Sequence, residues 1–306
     1  MIYTLTLNPS IDYTMHVSNF EPGGLTRATE TDYYPGGKGI NVSRVLSRLD
    51  IPSTALGYIG GFTGEFIRSA LKTEGIEESF IETNQPTRIN VKLKDDVESE
   101  INGPGPELND LLQRRLLEQL DRLTSEDRLL LAGSIPSSLP DSFYRTIAEK
   151  CIKKNIPLAV DTSGQALKEL LDYPLYLIKP NQKELEDLFG EPIDSKEKTA
   201  LYARKLVEEG CEHVIVSLGG EGAVYVDKET TLFADAPKGE VINTVGAGDS
   251  MVAGFLAAKE QHLSPEEAFR KSVACGSATA FDSDLGKRKD VDDLYESIII
   301  HQGGKE

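Results

Sequence analysis

From residue 108 onward the chain alternates helical and strand-like patterns, and this rhythm constrains the fold more than any other feature. Residues 108–123 carry helical periodicity, and 128–131 form an apolar run that ends in Ala132-Gly133-Ser134. Residues 141–154 read as a helix capped by Asp141, 157–160 as a strand ending at Asp161, and 175–178 as a strand ending in Lys179-Pro180-Asn181. Helices follow over 182–189 and 196–209, strands over 213–216, 223–226 and 231–233, and helices over 247–258, 265–280 and 291–300. Such alternation predicts an α/β fold with a mostly parallel sheet covered on both faces. Ligands of such sheets bind beyond the carboxyl ends of the strands. The segments expected there, GSIP, DTSG, KPNQKE and SLGGEG, are polar and glycine-rich.

The first third fits the rhythm less well. Residues 2–7 and 55–59 read as strands, and 39–49 and 64–71 as helices. FIET, INVKLKDD and VESEI, within 80–101, read instead as short strands with partly polar faces, followed by the loop NGPGP. The expectation is one α/β domain over 1–306. A small β-sheet lid, formed from about 10–35 and 80–105, covers its cleft.

Composition narrows the partners. The net charge is −17, a poor match for nucleic acid or an anionic membrane surface. No apolar run approaches the ~18 residues of a membrane span, and MIYTLTLNPS reads as a first strand rather than a signal peptide, which makes the cytoplasm the expected location. Three scattered cysteines and four scattered histidines offer no CxxC or HExxH spacing. An anionic small molecule remains compatible with this charge where lysine and arginine cluster near glycines.

Several familiar motifs fail. Gly36-Gly37-Lys38-Gly39 has glycine where a Walker A loop needs Ser or Thr. The dinucleotide fingerprint fails at Tyr225 and Met251, and GxSxG is absent. What remains is a dispersed constellation. Asn8, Ser10 and Asp12 follow the first strand, and PGGKGIN supplies Gly36, Gly37, Lys38 and Asn41 before a helix. Arg88 and Asn90 stand in the expected lid. Lys179, Asn181 and Glu184 follow one core strand, Ser217 and Gly219-Gly220-Glu221-Gly222 another, and Gly246-Ala247-Gly248-Asp249 opens a helix.

Each has a plain alternative: Asp12 can cap a turn, Lys38 can be a solvated charge, Arg88 can pair with a surface carboxylate and Asp249 can be a helix N-cap. Asp249 also poses a conflict. Backbone N–H groups at a glycine-rich helix entrance attract anions, which a carboxylate would repel. The functional reading rests on co-occurrence.

PGGKGINVSR at 35–44 and NTVGAGDSMVAG at 243–254 resemble the two signature segments of the phosphofructokinase-B branch of ribokinase-like sugar kinases. The likeness runs nearly end to end, through TLNPSID, TRINVKL, INGPGP, AGSIPSSLP, KPNQKEL and VSLGGEGA. It implies a ribokinase-like three-layer αβα sandwich, with ATP and Mg²⁺ as cofactors. GGFTGE, TRINVKL, INGPGP and GSIPSSLP are most similar to the members that phosphorylate fructose 1-phosphate at its C6 hydroxyl. Members acting on tagatose 6-phosphate share TLNPS and GGKG, so that acceptor stays open.

The resemblance also assigns roles. Asp249 becomes the general base, and Gly246, Ala247 and Gly248 become the anion hole for the transferring phosphoryl group, which resolves the conflict: the base addresses the sugar hydroxyl and the backbone addresses the phosphate. Asp12, Gly36, Gly37, Lys38 and Asn41 face the acceptor. Arg88 leads for the acceptor's own phosphate, with Arg27 and Ser134 as secondary choices. Lys179, Asn181, Ser217, Gly219, Gly220, Glu221, Gly222 and Gly248 face the nucleotide, with Asn243 and residues 274–278 as weaker adenine candidates. Asn181 and Glu184 place the metal through water. Relatives of this kind often pair through their lids into homodimers. The rival readings are a catalytically silent sugar-phosphate sensor, opposed by the intact Asp249 segment, and a dehydrogenase, opposed by the failed fingerprint.

Overall fold

The computed structural model describes residues 1–303. Its strands are β1 (Ile2–Thr6), β2 (Ser10–His16), β3 (Glu30–Gly36), β4 (Ser53–Ile59), β5 (Glu77–Glu78), β6 (Ile81–Glu82), β7 (Arg88–Lys94), β8 (Ser99–Asn102), β9 (Arg128–Ala132), β10 (Leu158–Asp161), β11 (Leu175–Ile178), β12 (Cys211–Ser217), β13 (Ala223–Asp227), β14 (Thr231–Ala234) and β15 (Ile300–Gln302). The helices are α1 (Lys38–Arg48), α2 (Gly61–Thr73), α3 (Asp110–Leu120), α4 (Phe143–Lys153), α5 (Gly164–Leu170), α6 (Gln182–Phe189), α7 (Lys196–Glu208), α8 (Ala247–Glu260), α9 (Pro265–Ala280) and α10 (Arg288–Tyr295).

The main sheet runs β15-β14-β13-β12-β11-β10-β9-β1-β4-β5, with β6 also on β4. It is parallel from β12 to β5 and antiparallel at the β13–β15 edge. Strand alternation builds both cores. Leu129, Leu131, Val160, Ile178 and Val214 pack beneath α3 to α7, while Leu130, Ala159, Leu177 and Ile215 pack beneath α1, α8 and α9. The result is three layers, helices on either side of one sheet. The chain leaves β1 toward β4 and later returns to β9 on β1's other side, so the sheet has a topological switch point beside β1.

The small second sheet runs β3-β2-β7-β8, with β2 and β7 parallel. Its two faces differ in chemistry. Ser10, Asp12, Thr14, Arg88, Asn90, Lys92 and Glu100 share one face by register, and Ile11, Tyr13, Ile89, Val91, Tyr33 and Ile101 share the other.

Some boundaries differ from expectation. Asp141 is not a helix cap: α4 begins after Ser142, and Asp141 lines the cleft instead. Ile81 and Glu82, within FIET, join the main sheet beside β4 rather than the small sheet. The helix expected over 291–300 ends at Tyr295, and Ile300–Gln302 adds an antiparallel edge to β14. Here edge pairing overrides a local apolar pattern. Helix α5, Gly164–Leu170, is an element the sequence reading lacks.

Candidate active site

A cleft of about 1240 Å³ opens between the small sheet's polar face and the carboxyl ends of β1, β9, β10, β11 and β12. Its volume exceeds the roughly 300–1,000 Å³ usual for one small ligand.

Asp249 is fixed at its centre. Gly246, at φ 79°, caps α8 in the left-handed region that glycine favours, so Asp249 occupies the helix's first turn and is not the cap. The carboxylate is 6% exposed, and Oδ2 accepts a hydrogen bond from Asn41 Nδ2 at 2.8 Å. The N–H of Ala247 already donates to Thr244 O at 3.2 Å, which leaves the amides of Gly248 and Asp249 as the open donors of the first turn. Gly248 lets Lys179 approach closely: a Cβ there would lie 2.9 Å from Lys179 Nζ, and the lysine would have to shift.

Around this carboxylate the structure adds a residue that the sequence reading passed over. Asp161, at the end of β10, is 2% exposed; Oδ1 accepts from Lys38 Nζ at 3.0 Å and lies 3.7 Å from Lys179 Nζ. Its Oδ2 is buried without a partner. Burial opposes its charge, but Lys179 and Lys38 outweigh that and hold its pKa below the ordinary value. Burial likewise opposes the charge on Lys38, and Asp161 and Asp249 overcome it, so the ammonium is retained. Asp249 has the opposite balance. Burial first and the Asp161 charge second push it up to about 6, against Lys38 and the Asn41 hydrogen bond. A pinned anion, two lysines and a carboxyl that titrates near neutrality therefore meet at one helix terminus. That arrangement suits proton acceptance beside a phosphoryl group.

The segment expected to face the acceptor is tightly packed around Asp12. Asp12 Oδ1 accepts from Ser10 Oγ at 2.8 Å and from Asn90 Nδ2 at 3.0 Å. Gly36 packs so tightly on Asp12 that a Cβ would meet its carboxyl at 2.6 Å. Gly37, at φ 116°, caps α1, and a Cβ there would meet Thr6 Cγ2 at 2.7 Å. These glycines thus serve backbone geometry and close packing, while Lys38 and Asn41 carry the polar contacts. Arg88 is half-buried, donates to Asn8 O at 3.2 Å and points into the cleft; burial lowers its pKa, partly opposed by Asp12. Ser134 lines the same cleft. Arg27 does not: it is exposed in the β2–β3 connection, away from the cleft.

Of the residues expected to face the nucleotide, Lys179, Asn181, Ser217, Gly219, Gly220, Gly222 and Gly248 line the cleft, but Glu221 is exposed and does not. Gly276 and Ser277 line it, whereas Asn243 is spent on the loop, donating to Ser283 O and accepting from Val245 N–H. Asn181 and Glu184 form a reciprocal capping box on α6, each bond 2.8 Å. The box uses the only side-chain oxygen of Asn181 and one of the two of Glu184, and both residues still line the cleft. No group of three or more His, Cys, Asp or Glu side chains suited to a metal occurs among the described residues. This donor set fits a hydrated magnesium ion held through water and bound phosphates, not a cage of direct ligands.

A buried carboxylate and two lysines at a helix terminus, beneath a polar sheet on a three-layer scaffold, fit one class: a ribokinase-like phosphoryl-transfer enzyme. The pattern for pfkB family carbohydrate kinases matches residues 5–288, and the chain belongs to that family of sugar kinases. It is 51% identical to 1-phosphofructokinase of Bacillus subtilis, over 98% of this chain and 99% of the relative. It is also 36% identical to D-tagatose-1-phosphate kinase of Bacillus licheniformis, over 98% and 99%. Phosphofructokinase-2 from Escherichia coli, solved in complex with fructose-6-phosphate, superposes with a TM-score of 0.91 at 33% identity, covering 97% of this chain and 98% of that one. That protein is also known as a tetrameric inhibited form. No described helix is long and apolar enough to cross a membrane.

Proposed function

We propose that the enzyme transfers the γ-phosphoryl group of ATP to the C6 hydroxyl of fructose 1-phosphate, forming fructose 1,6-bisphosphate and ADP in the cytoplasm. The observation that carries the reaction type is the buried Asp249 carboxylate at the amino end of α8, held by Asn41 and flanked by Lys38 and Lys179. The acceptor is inferred from the Bacillus subtilis relative.

In this reading Asp249 takes the C6 hydroxyl proton as the oxygen forms its bond to phosphorus. The bond from phosphorus to the β,γ-bridging oxygen breaks, and ADP leaves with its electron pair. The amides of Gly248 and Asp249, with Lys38 and Lys179, meet the phosphoryl charge. Asp12, Asn41 and the lip of Gly36 and Gly37 orient the sugar, and Arg88 binds its C1 phosphate through paired N–H groups. Ser217 and Gly219, Gly220 and Gly222 hold the nucleotide. Asn181 and Glu184 would hold Mg²⁺ through water, and the ion, when bound, neutralises phosphate charge. The small sheet acts as a lid that keeps water from the γ-phosphoryl group.

Tagatose 1-phosphate, the C4 epimer, is the second reading, because D-tagatose-1-phosphate kinases are relatives too. The test is kcat/KM measured side by side for fructose 1-phosphate, tagatose 1-phosphate, tagatose 6-phosphate and fructose 6-phosphate. Fructose 1-phosphate is expected to lead; a higher value for any other acceptor overturns the assignment. Arg88→Ala is expected to raise the KM for sugar phosphate about 10- to 100-fold, the worth of a charged hydrogen bond, with the KM for ATP unchanged. A shift in the ATP value alone would move Arg88 to the other ligand.

The lid's outer face supports a homodimer. Ile101 is 63% and Tyr33 56% exposed there, and Tyr13 stacks on Tyr33 at 4.6 Å. Sedimentation is expected to show a dimer that Ile101→Lys weakens; a wild-type monomer at micromolar concentration rules it out.

A further inference from the structure

Lys92 has no place in the roles given so far, yet it is among the most buried charges of the small sheet. It is 8% exposed, stands on the polar face in register with Thr14 and Glu100, and lines the cleft. Its ammonium carries three donors. The nearest anions are Glu100 Oε1 at 3.6 Å and Asp12 Oδ2 at 3.9 Å, both beyond hydrogen-bond length. Asp12 cannot swing toward it cheaply, because its other oxygen is tied to Ser10 and Asn90. With its carboxylate neighbours beyond hydrogen-bond length, this ammonium keeps its donors for a ligand in the cleft that it lines.

Arg88 and Lys92 lie four residues apart on one face of β7, about 13 Å between Cα atoms at ~3.3 Å per residue. Their long side chains bracket Asn90, whose Oδ1 is buried without a partner. A ligand over Asn90 and Asp12 therefore has a guanidinium on one side and an ammonium on the other.

We propose that Lys92 binds the phosphate already carried by the acceptor sugar, completing with Arg88 a two-cation clamp on the small sheet. The clamp rests on the ketose-phosphate reading above, and it explains how a chain of net charge −17 holds a second anion beside a nucleotide.

The experiment compares wild type, Lys92→Met, Lys92→Arg and the double variant Lys92→Met/Glu100→Gln, each checked by thermal melting, with Lys92→Gln replacing any Met variant that fails to fold. Lys92→Met is expected to raise the KM for the preferred ketose phosphate about 10- to 100-fold, with the KM for ATP within twofold. Lys92→Arg should recover most of the loss, and Glu100→Gln should recover none. An unchanged KM in Lys92→Met overturns the proposal. So does recovery on adding Glu100→Gln, which would mean that Lys92 merely offsets that carboxylate. If the wild type prefers another ketose phosphate, the substrate assignment falls, and the same comparison with that acceptor still judges Lys92.

Discussion

Asp249→Asn is expected to lower kcat by about 10²- to 10⁴-fold, the usual contribution of a positioned base, while the dissociation constant for ATP stays within a fewfold of wild type. The substitution keeps the volume of the side chain at its 6% exposed site and can keep a contact to Asn41. It removes only the ability to accept the hydroxyl proton. Near-normal turnover, measured with nucleotide affinity by calorimetry, would refute the assignment. Because burial and Asp161 place the wild-type carboxyl near 6, kcat/KM should fall below about pH 6 as the base becomes protonated. Asp161→Asn removes the like charge and should move that acid limb to lower pH.

The same shift has a sign for stability. The native pKa lies above the ordinary carboxyl value of 3.8, so the folded state binds the proton more tightly between pH 3.8 and about 6. Stability from this group is present below that window, declines as pH rises through it and is absent at neutrality. Asp249→Asn should therefore melt higher than wild type at pH 7.5, with about 3 kcal/mol as the upper bound. A gain in stability with a loss of turnover is the pattern expected of a functional, strained charge.

Gly36→Ala is expected to raise the KM for the acceptor about 10- to 100-fold and leave the KM for ATP unchanged. The new methyl would lie 2.6 Å from the Asp12 carboxyl and 2.7 Å from Ser10 Oγ, so the pair must move. Displacing Asp12 breaks its bonds from Ser10 and Asn90 at the proposed acceptor site, and hydrogen bonds to charged groups are worth about 1.5–3 kcal/mol each. The effect should be confined to sugar recognition. A variant with wild-type KM for sugar would show that Asp12 is not an acceptor ligand.

Much of the site was legible because it is built from local backbone chemistry. GGKG and GAGD announce turns and helix entrances. Helices α6 and α9 have the expected boundaries because capping boxes at Asn181/Glu184 and Ser264/Glu267 mark their starts, with Pro265 at the first helical position. The parallel sheet followed from alternation alone. Asp161 was seen only as the end of a strand, since its importance comes from burial between Lys38 and Lys179, residues 123 and 18 positions away. Lys92 looked like one more charge in KLKDD, and only the register of β7 with β2 and β8 turns it toward the cleft. The isoleucines before His301 mimic a continuing helix, and only pairing with β14 resolves them as an edge strand. Arg27 and Glu221 show the converse: a suitable side chain without placement in this chain's cleft.

The central claim is spatial, and a structure of the closed complex with ADP, Mg²⁺, fructose 1-phosphate and a planar phosphoryl mimic such as aluminium fluoride tests it most directly. The account predicts the sugar's C6 oxygen within about 2.6–3.2 Å of an Asp249 carboxylate oxygen, with the mimic on its far side facing the amides of Gly248 and Asp249. An Asp249 carboxylate turned away from both reactants, in a crystal whose enzyme is active, would contradict it.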